Sequence, residues 1–185
     1  MPISTIGQNG LNAPLSLTSP ALGTPSSLVL TNATGLPQAG LGTNVVGNGP
    51  VFSACASGSQ ALTQNTWNKV LFGTEIFDTN NNFASSRFTP TVAGYYQINY
   101  EVYGTTSNTM TQFIGALYKN GSVYEYGVIT ALNQTQAFSS ATLVYMNGST
   151  DYLELYINIA GTGTLSATEA GGATNFMSGC LVRAA

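Results

Sequence analysis

An all-β sandwich or barrel is the fold class this sequence predicts, and three observations carry the prediction. Two segments alternate with a period of two: Tyr95 to Tyr103, and Tyr152 to Ile159. In the first, Tyr96, Ile98, Tyr100 and Val102 share a face; in the second, Leu153, Leu155, Ile157 and Ile159 do. That is the pattern of strands buried on one side. Asn120-Gly121 and Asn147-Gly148 each follow an apolar run, the strongest short hairpin signal a sequence offers. Between these turns no stretch carries helical periodicity, and short strand-like runs recur along the chain.

Taken in order, the candidate strands are 51–56 (VFSACA), 67–72 (WNKVLF) and the run from Thr74 into an Asn-rich turn at 79–82. There follow 95–103 behind the Pro90 and Gly94 turn, 111–119, 122–129, 138–146, 152–159 and 176–182. Eight to ten short antiparallel strands are expected.

Composition narrows the function classes. Only 6 % of the 185 residues are charged, against roughly 25 % in an ordinary globular domain, while 43 % are hydrophobic and 21 are Gly. Such a chain packs a core instead of staying disordered. Its surface is polar through hydroxyls and amides. With four cationic residues and a net charge of −3 there is no basic footprint, so no nucleic-acid partner is expected. No run approaches the length of an apolar span, so no membrane insertion is expected. The first ten residues lack a basic segment leading into an apolar core, so they do not form a signal peptide.

The charge distribution has a sharp edge. Residues 1–50 contain no Asp, Glu, Lys or Arg and hold all the prolines except Pro90; every charged residue lies from Lys69 onward. An extended, uncharged N-terminal arm over 1–50 and a folded head over 51–185 follow. The arm holds short β-like pieces at 15–18 and 27–31, whose Leu15, Leu17, Leu28, Val29 and Leu30 cannot be buried within the arm alone. Two readings stand: a flexible linker, or a docking arm ordered by contact with other copies or with a docking surface. The second is favoured.

Enzyme chemistry has little to build on. The chain has no His, so the commonest general base and metal ligand are missing, as are His-dependent nucleophile triads. The seven carboxylates are scattered without the spacing of an acid pair. Asp78-Thr-Asn80-Asn-Asn82 resembles half of a calcium loop, but Phe83 stands where the sharp-turn Gly belongs; a plain Asn-rich turn is the simpler account. No cofactor and no metal ligand is assigned, with calcium left open. Cys55 and Cys180 lie in the first and last strands; free thiols are favoured over a bond. Tyr124-Glu125-Tyr126 suits either an edge strand or a surface that stacks on sugar, and the edge strand is favoured.

Phe88-x-Pro90-x-x-Ala93-Gly94-x-Tyr96 resembles the centre of the complement globular-head domain, one of the tumour necrosis factor-like jelly rolls. Further pieces fall in family order: Phe52-Ser-Ala, Trp67 to Phe72, Phe77-Asp78, Phe83, Leu117-Tyr118-x-Asn120-Gly121, Gly148-x-x-Asp151-x-Leu153-x-Leu155 and Ser178-Gly179-x-Leu181. The family's Gly-Asp pair is loosened here to Gly148-Ser-Thr-Asp151, which lengthens a loop. The resemblance implies a jelly-roll β-sandwich of about ten antiparallel strands, homotrimeric and not an enzyme. It also implies that Cys55 and Cys180 lie on neighbouring strands, and that strands 95–103 and 152–159 share the inner sheet. Tyr95, Tyr103, Tyr152 and Tyr156 are then expected at the trimer interface; the simpler account is that Tyr suits exposed strands.

The arm segment GTPSSLVLTNATGLP at 23–37 resembles the linkers that precede receptor-binding or decorating modules in bacteriophage fibres. Together these resemblances imply a virion structural protein at the particle surface: a head fibre, capsid decoration or tail appendage. Its arm would dock to a capsid or tail protein, and its head would project outward. The alternative is an adhesin module that binds a receptor or a host surface glycan.

Overall fold

A computed structural model of the protein describes residues 49–129, 134–169 and 174–185. These lie within one compact unit, Gly47–Ala185. The docking-arm residues Leu15, Leu17, Leu28, Val29 and Leu30 lie outside the described residues.

Thirteen strands form two antiparallel sheets. In chain order they are β1 (Val51–Cys55), β2 (Gln60–Ala61), β3 (Trp67–Lys69), β4 (Thr74–Asp78), β5 (Phe83–Ala84), β6 (Arg87–Phe88) and β7 (Ala93–Thr106). Then come β8 (Met110–Lys119), β9 (Ser122–Ile129), β10 (Thr135–Asn147), β11 (Leu153–Gly161), β12 (Leu165–Ala167) and β13 (Phe176–Ala184). Every expected strand is present. The surplus consists of the two- and three-residue pieces β2, β5, β6 and β12, too short to show a period. The first sheet runs β2-β12-β7-β13-β1-β4, with β10 on the other side of β7; the second runs β5-β6-β11-β8-β9, with β3 also on β11.

The alternating segments supply the core between the sheets. Tyr96, Ile98 and Val102 of β7 and Leu153, Leu155, Ile157 and Ile159 of β11 are fully buried, each such aliphatic side chain worth about 1.5–3 kcal/mol on burial. Phe52, Phe83 and Phe88 stack near one end, with ring centroids 4.2 Å (Phe52–Phe88) and 5.0 Å (Phe52–Phe83) apart. Toward the edge, the Phe138 ring of β10 lies against Gly115 and Gly127, a directly paired couple on β8 and β9. A methyl group on either glycine would overlap that ring.

The two Asn-Gly turns are tied together through Asp151. Its carboxylate accepts hydrogen bonds from Asn120 Nδ2 (2.7 Å) and the Asn147 backbone N–H (3.0 Å), and pairs with Lys119 Nζ at 2.9 Å. Asn147 Oδ1 in turn accepts the N–H groups of Ser149, Thr150 and Asp151. Gly148, at φ 70°, turns the chain between β10 and the start of β11. The strands on either side keep their register.

The cysteines are free, Cys55 buried and Cys180 exposed. Their strands are neighbours, but Cys180 pairs with Val51 and Cys55 with Phe176. Four residues of strand separate them, about 13 Å, twice the reach of a disulfide.

Candidate functional site

Asp78 organises a turn. Its carboxylate accepts the backbone N–H of Phe83 at 2.6 Å and of Asn80 at 3.2 Å. Among the described residues no group of three or more His, Cys, Asp or Glu side chains is placed to hold a metal ion.

The candidate surfaces are the two outer faces of the sandwich, and the four tyrosines divide between them. Tyr95 and Tyr103 are on β7 in the first sheet; Tyr156 is on β11 and Tyr152 just precedes it, in the second. The expectation that both strands share one sheet is therefore corrected. β7 pairs with β10, β12 and β13, whereas β11 pairs with β8, β3 and β6. The alternation showed which residues face outward on each strand but carried no information about which sheet the strand joins.

On the first sheet, Tyr95 is directly opposite Tyr145 of β10, their rings 5.5 Å apart edge to face. Leu143 stands two residues along, 55 % exposed. Tyr124 reaches across from β9 to donate to the Leu143 carbonyl at 3.0 Å. Over the paired run of β7 and β10, Glu101 is the only charged residue on this outer face; Tyr103 is half-buried there.

The second sheet's outer face is built differently. Glu154 of β11 points outward yet is only 3 % exposed, because Lys69 Nζ (2.7 Å) and Arg87 Nε (2.8 Å) close on the same carboxylate oxygen, Oε1. Tyr156 donates its hydroxyl to the other oxygen at 3.2 Å. Burial alone would raise the Glu154 pKa, but the hydrogen bonds and charges of Lys69 and Arg87 outweigh it and hold the carboxyl below its ordinary range. The phenol of Tyr156 is pushed up, by burial first and then by the Glu154 charge. The Arg87 guanidinium also lies 4.0 Å over the Tyr152 ring.

Aromatic rings continue from this ion cluster. Tyr156 packs on Tyr118 (centroids 4.3 Å), Tyr118 meets Trp67 (5.8 Å), and Trp67 meets Tyr126 (5.9 Å). Tyr152 and Tyr156 thus belong to this cluster, apart from Tyr95 and Tyr103. Of the remaining members, Trp67, Tyr118, Tyr126, Lys69, Arg87 and Glu154 come from five strands. Only the sheet order brings them together, so no local spacing announced them.

No protein-family model matches the sequence, and no curated protein does. Solved structures do match. Murine APRIL at pH 5.0 superposes with a TM-score of 0.55 at 9 % identity, over 73 % of this chain and 100 % of that one. Its pH 8.0 structure gives 0.53 at 11 % identity, with the same coverage. The fold is a tumour necrosis factor-like jelly roll. A structure of Eiger TNF from S. frugiperda also aligns, over 74 % of this chain and 93 % of that one, at 10 % identity and a TM-score of 0.48. At these identities the likeness extends to this jelly-roll fold and no further.

Proposed function

We propose that the chain is a non-enzymatic, homotrimeric jelly-roll head on a docking arm, a structural appendage at the surface of a bacteriophage particle. The observation that carries the trimer is the outer face of the first sheet. Tyr95, Leu143 and Tyr145 are exposed together, with the cations Arg183, opposite Tyr95, and Lys119, over the Tyr145 ring, at their margin, and aromatic-rich patches with Arg among them have the composition of subunit interfaces. A three-fold ring needs two different patches per subunit, because its contacts are heterologous. The far edge of the same sheet supplies a second, with Ile76 and Phe77 of β4 both exposed. Tyr103 shares that face but is eight residues along β7 from Tyr95, opposite Ala137, and Tyr152 and Tyr156 are on the second sheet's side.

The particle role rests on the uncharged arm and its likeness to fibre linkers. The Leu15, Leu17, Leu28, Val29 and Leu30 side chains would be covered by a capsid or tail protein. The test has two parts. The purified full chain should sediment as a trimer at micromolar concentration, and Leu143→Asp should give a folded monomer; a wild-type monomer ends the trimer reading. Imaging of the particle should place the chain at its surface, and deletion of residues 1–50 should abolish incorporation while the head still trimerises.

A second reading, a head that engages a surface glycan, is favoured by the aromatic cluster on the second sheet. A trimer built on the first sheet leaves that face turned outward.

A further inference from the structure

We propose that the outer face of the second sheet binds a linear acidic oligosaccharide. Trp67, Tyr118 and Tyr126 would stack on sugar rings, and the Arg87 guanidinium would take a sugar carboxylate. The proposal rests on the glycan-binding reading of the head and gives it a site and a ligand class.

Four observations support it. First, the rings form a continuous series, and its outermost member, Tyr126, is 59 % exposed. Half-exposed aromatic rings fringed by amides suit a ligand with one apolar C–H face and a polar rim, which is a pyranose. The amides are Asn158, directly opposite Trp67, and Gln112, opposite Ala160.

Second, the ion cluster is not charge-balanced. Two cations meet one carboxylate, so one positive charge remains for a ligand. Arg87 spends only Nε on Glu154, and its Nη groups have no hydrogen-bond partner among the described residues. A guanidinium fixed by Glu154 and by the Tyr152 ring presents its remaining N–H groups as a fork suited to a second carboxylate.

Third, an open cavity of about 540 Å³ adjoins the cluster, lined by Lys69, Arg87, Asn81, Asn82, Thr89 and Thr91 among others. Its cationic and hydroxyl-amide walls match an acidic sugar better than an apolar group. Fourth, the face is long. Tyr152, beneath Arg87, and Asn158, beside Trp67, are six residues apart on one strand, about 20 Å. An occupant reaching both ends must be an oligomer.

The test uses the full chain and its single tryptophan, Trp67, as the reporter. Linear oligouronates of four units and differing linkage would be titrated alongside their carboxyl-reduced, neutral counterparts. At least one oligouronate should shift the Trp67 emission saturably and bind about tenfold more tightly than its neutral counterpart. Tyr126→Ala, on an exposed side chain, should weaken both by about tenfold. Arg87→Gln removes both the charge and the fork, and should bring the acidic and neutral forms to nearly equal affinity. Silence of Trp67 toward the whole set, or unaltered binding by Tyr126→Ala, overturns the site. Equal affinity for acidic and neutral forms overturns the role of Arg87. Absence of the chain from an imaged particle would refute the virion reading without touching these titrations, so the two failures are distinguishable.

Discussion

Glu154 shows how much one residue can hold when its neighbours come from distant strands. Its depressed pKa means that the folded state binds its proton less readily than the unfolded chain, whose Glu titrates near about 4.3. The stability this group contributes is therefore fully present above that value and is lost as pH falls through the folded pKa. Thermal melts between neutral pH and about pH 3 should lose stability more steeply in the wild type than in Glu154→Gln. At neutral pH the variant should be weaker by about 1–3 kcal/mol, because Lys69 and Arg87 lose their shared acceptor. Tyr100 is the converse case. Burial pushes its phenol up to about 12, and the hydroxyl lies beside the Ser140–Glu125 pair without a well-formed hydrogen bond to either. An unpartnered buried hydroxyl adds little to stability, so Tyr100→Phe should unfold at the same denaturant concentration as the wild type or a higher one. An unfolding free energy lowered by more than about 1 kcal/mol would mean that the hydroxyl is bonded after all.

At the scale of elements, the long strands were legible because their alternation is nearly uninterrupted. β7 and β11 are buried on the side that Tyr96 to Val102 and Leu153 to Ile159 announced. Their sheet membership was not legible, since it is fixed by pairings between residues far apart in the chain. Nor was the glycine couple under Phe138. Gly115 and Gly127 each look like a weak point in a strand, and their use emerges only when β8, β9 and β10 are brought together. Gly127→Ala should cost about 1–3 kcal/mol through the displaced ring. Chemical denaturation would check it: the midpoint falls while the slope with denaturant stays unchanged. The candidate binding face was the least legible part. The sequence offered Tyr124-Glu125-Tyr126 first as an edge strand, which β9 is, and second as a sugar contact; of the three only Tyr126 joins the aromatic series with Trp67 and Tyr118.

For the whole molecule, the division of labour follows the distribution of charge. The second sheet's outer face concentrates Lys69, Arg87 and Glu154, whereas the Lys119–Asp151 pair is at the turn end, with Lys119 Nζ against Tyr145 of the first sheet. The first sheet's β7–β10 run keeps Glu101 alone. Arg183 is opposite Tyr95 and Lys119 lies over Tyr145, so association through the first face should respond to ionic strength, but less steeply than capture of an anion at the second. The turns that hold this arrangement also set a limit on its lifetime. In an Asn-Gly pair the glycine amide nitrogen can attack the asparagine side-chain carbonyl and expel ammonia, and slow hydrolysis of the resulting succinimide leaves aspartate or isoaspartate. Asn120 gives its amide N–H to Asp151 at 2.7 Å and accepts the Tyr152 N–H at 2.9 Å. Once deamidated, the same position would present a second carboxylate to Asp151 in place of a donor, and like charges at that separation repel. The staple between the two hairpin turns is thus also a chemical clock, and an ageing chain would loosen at this end of the head.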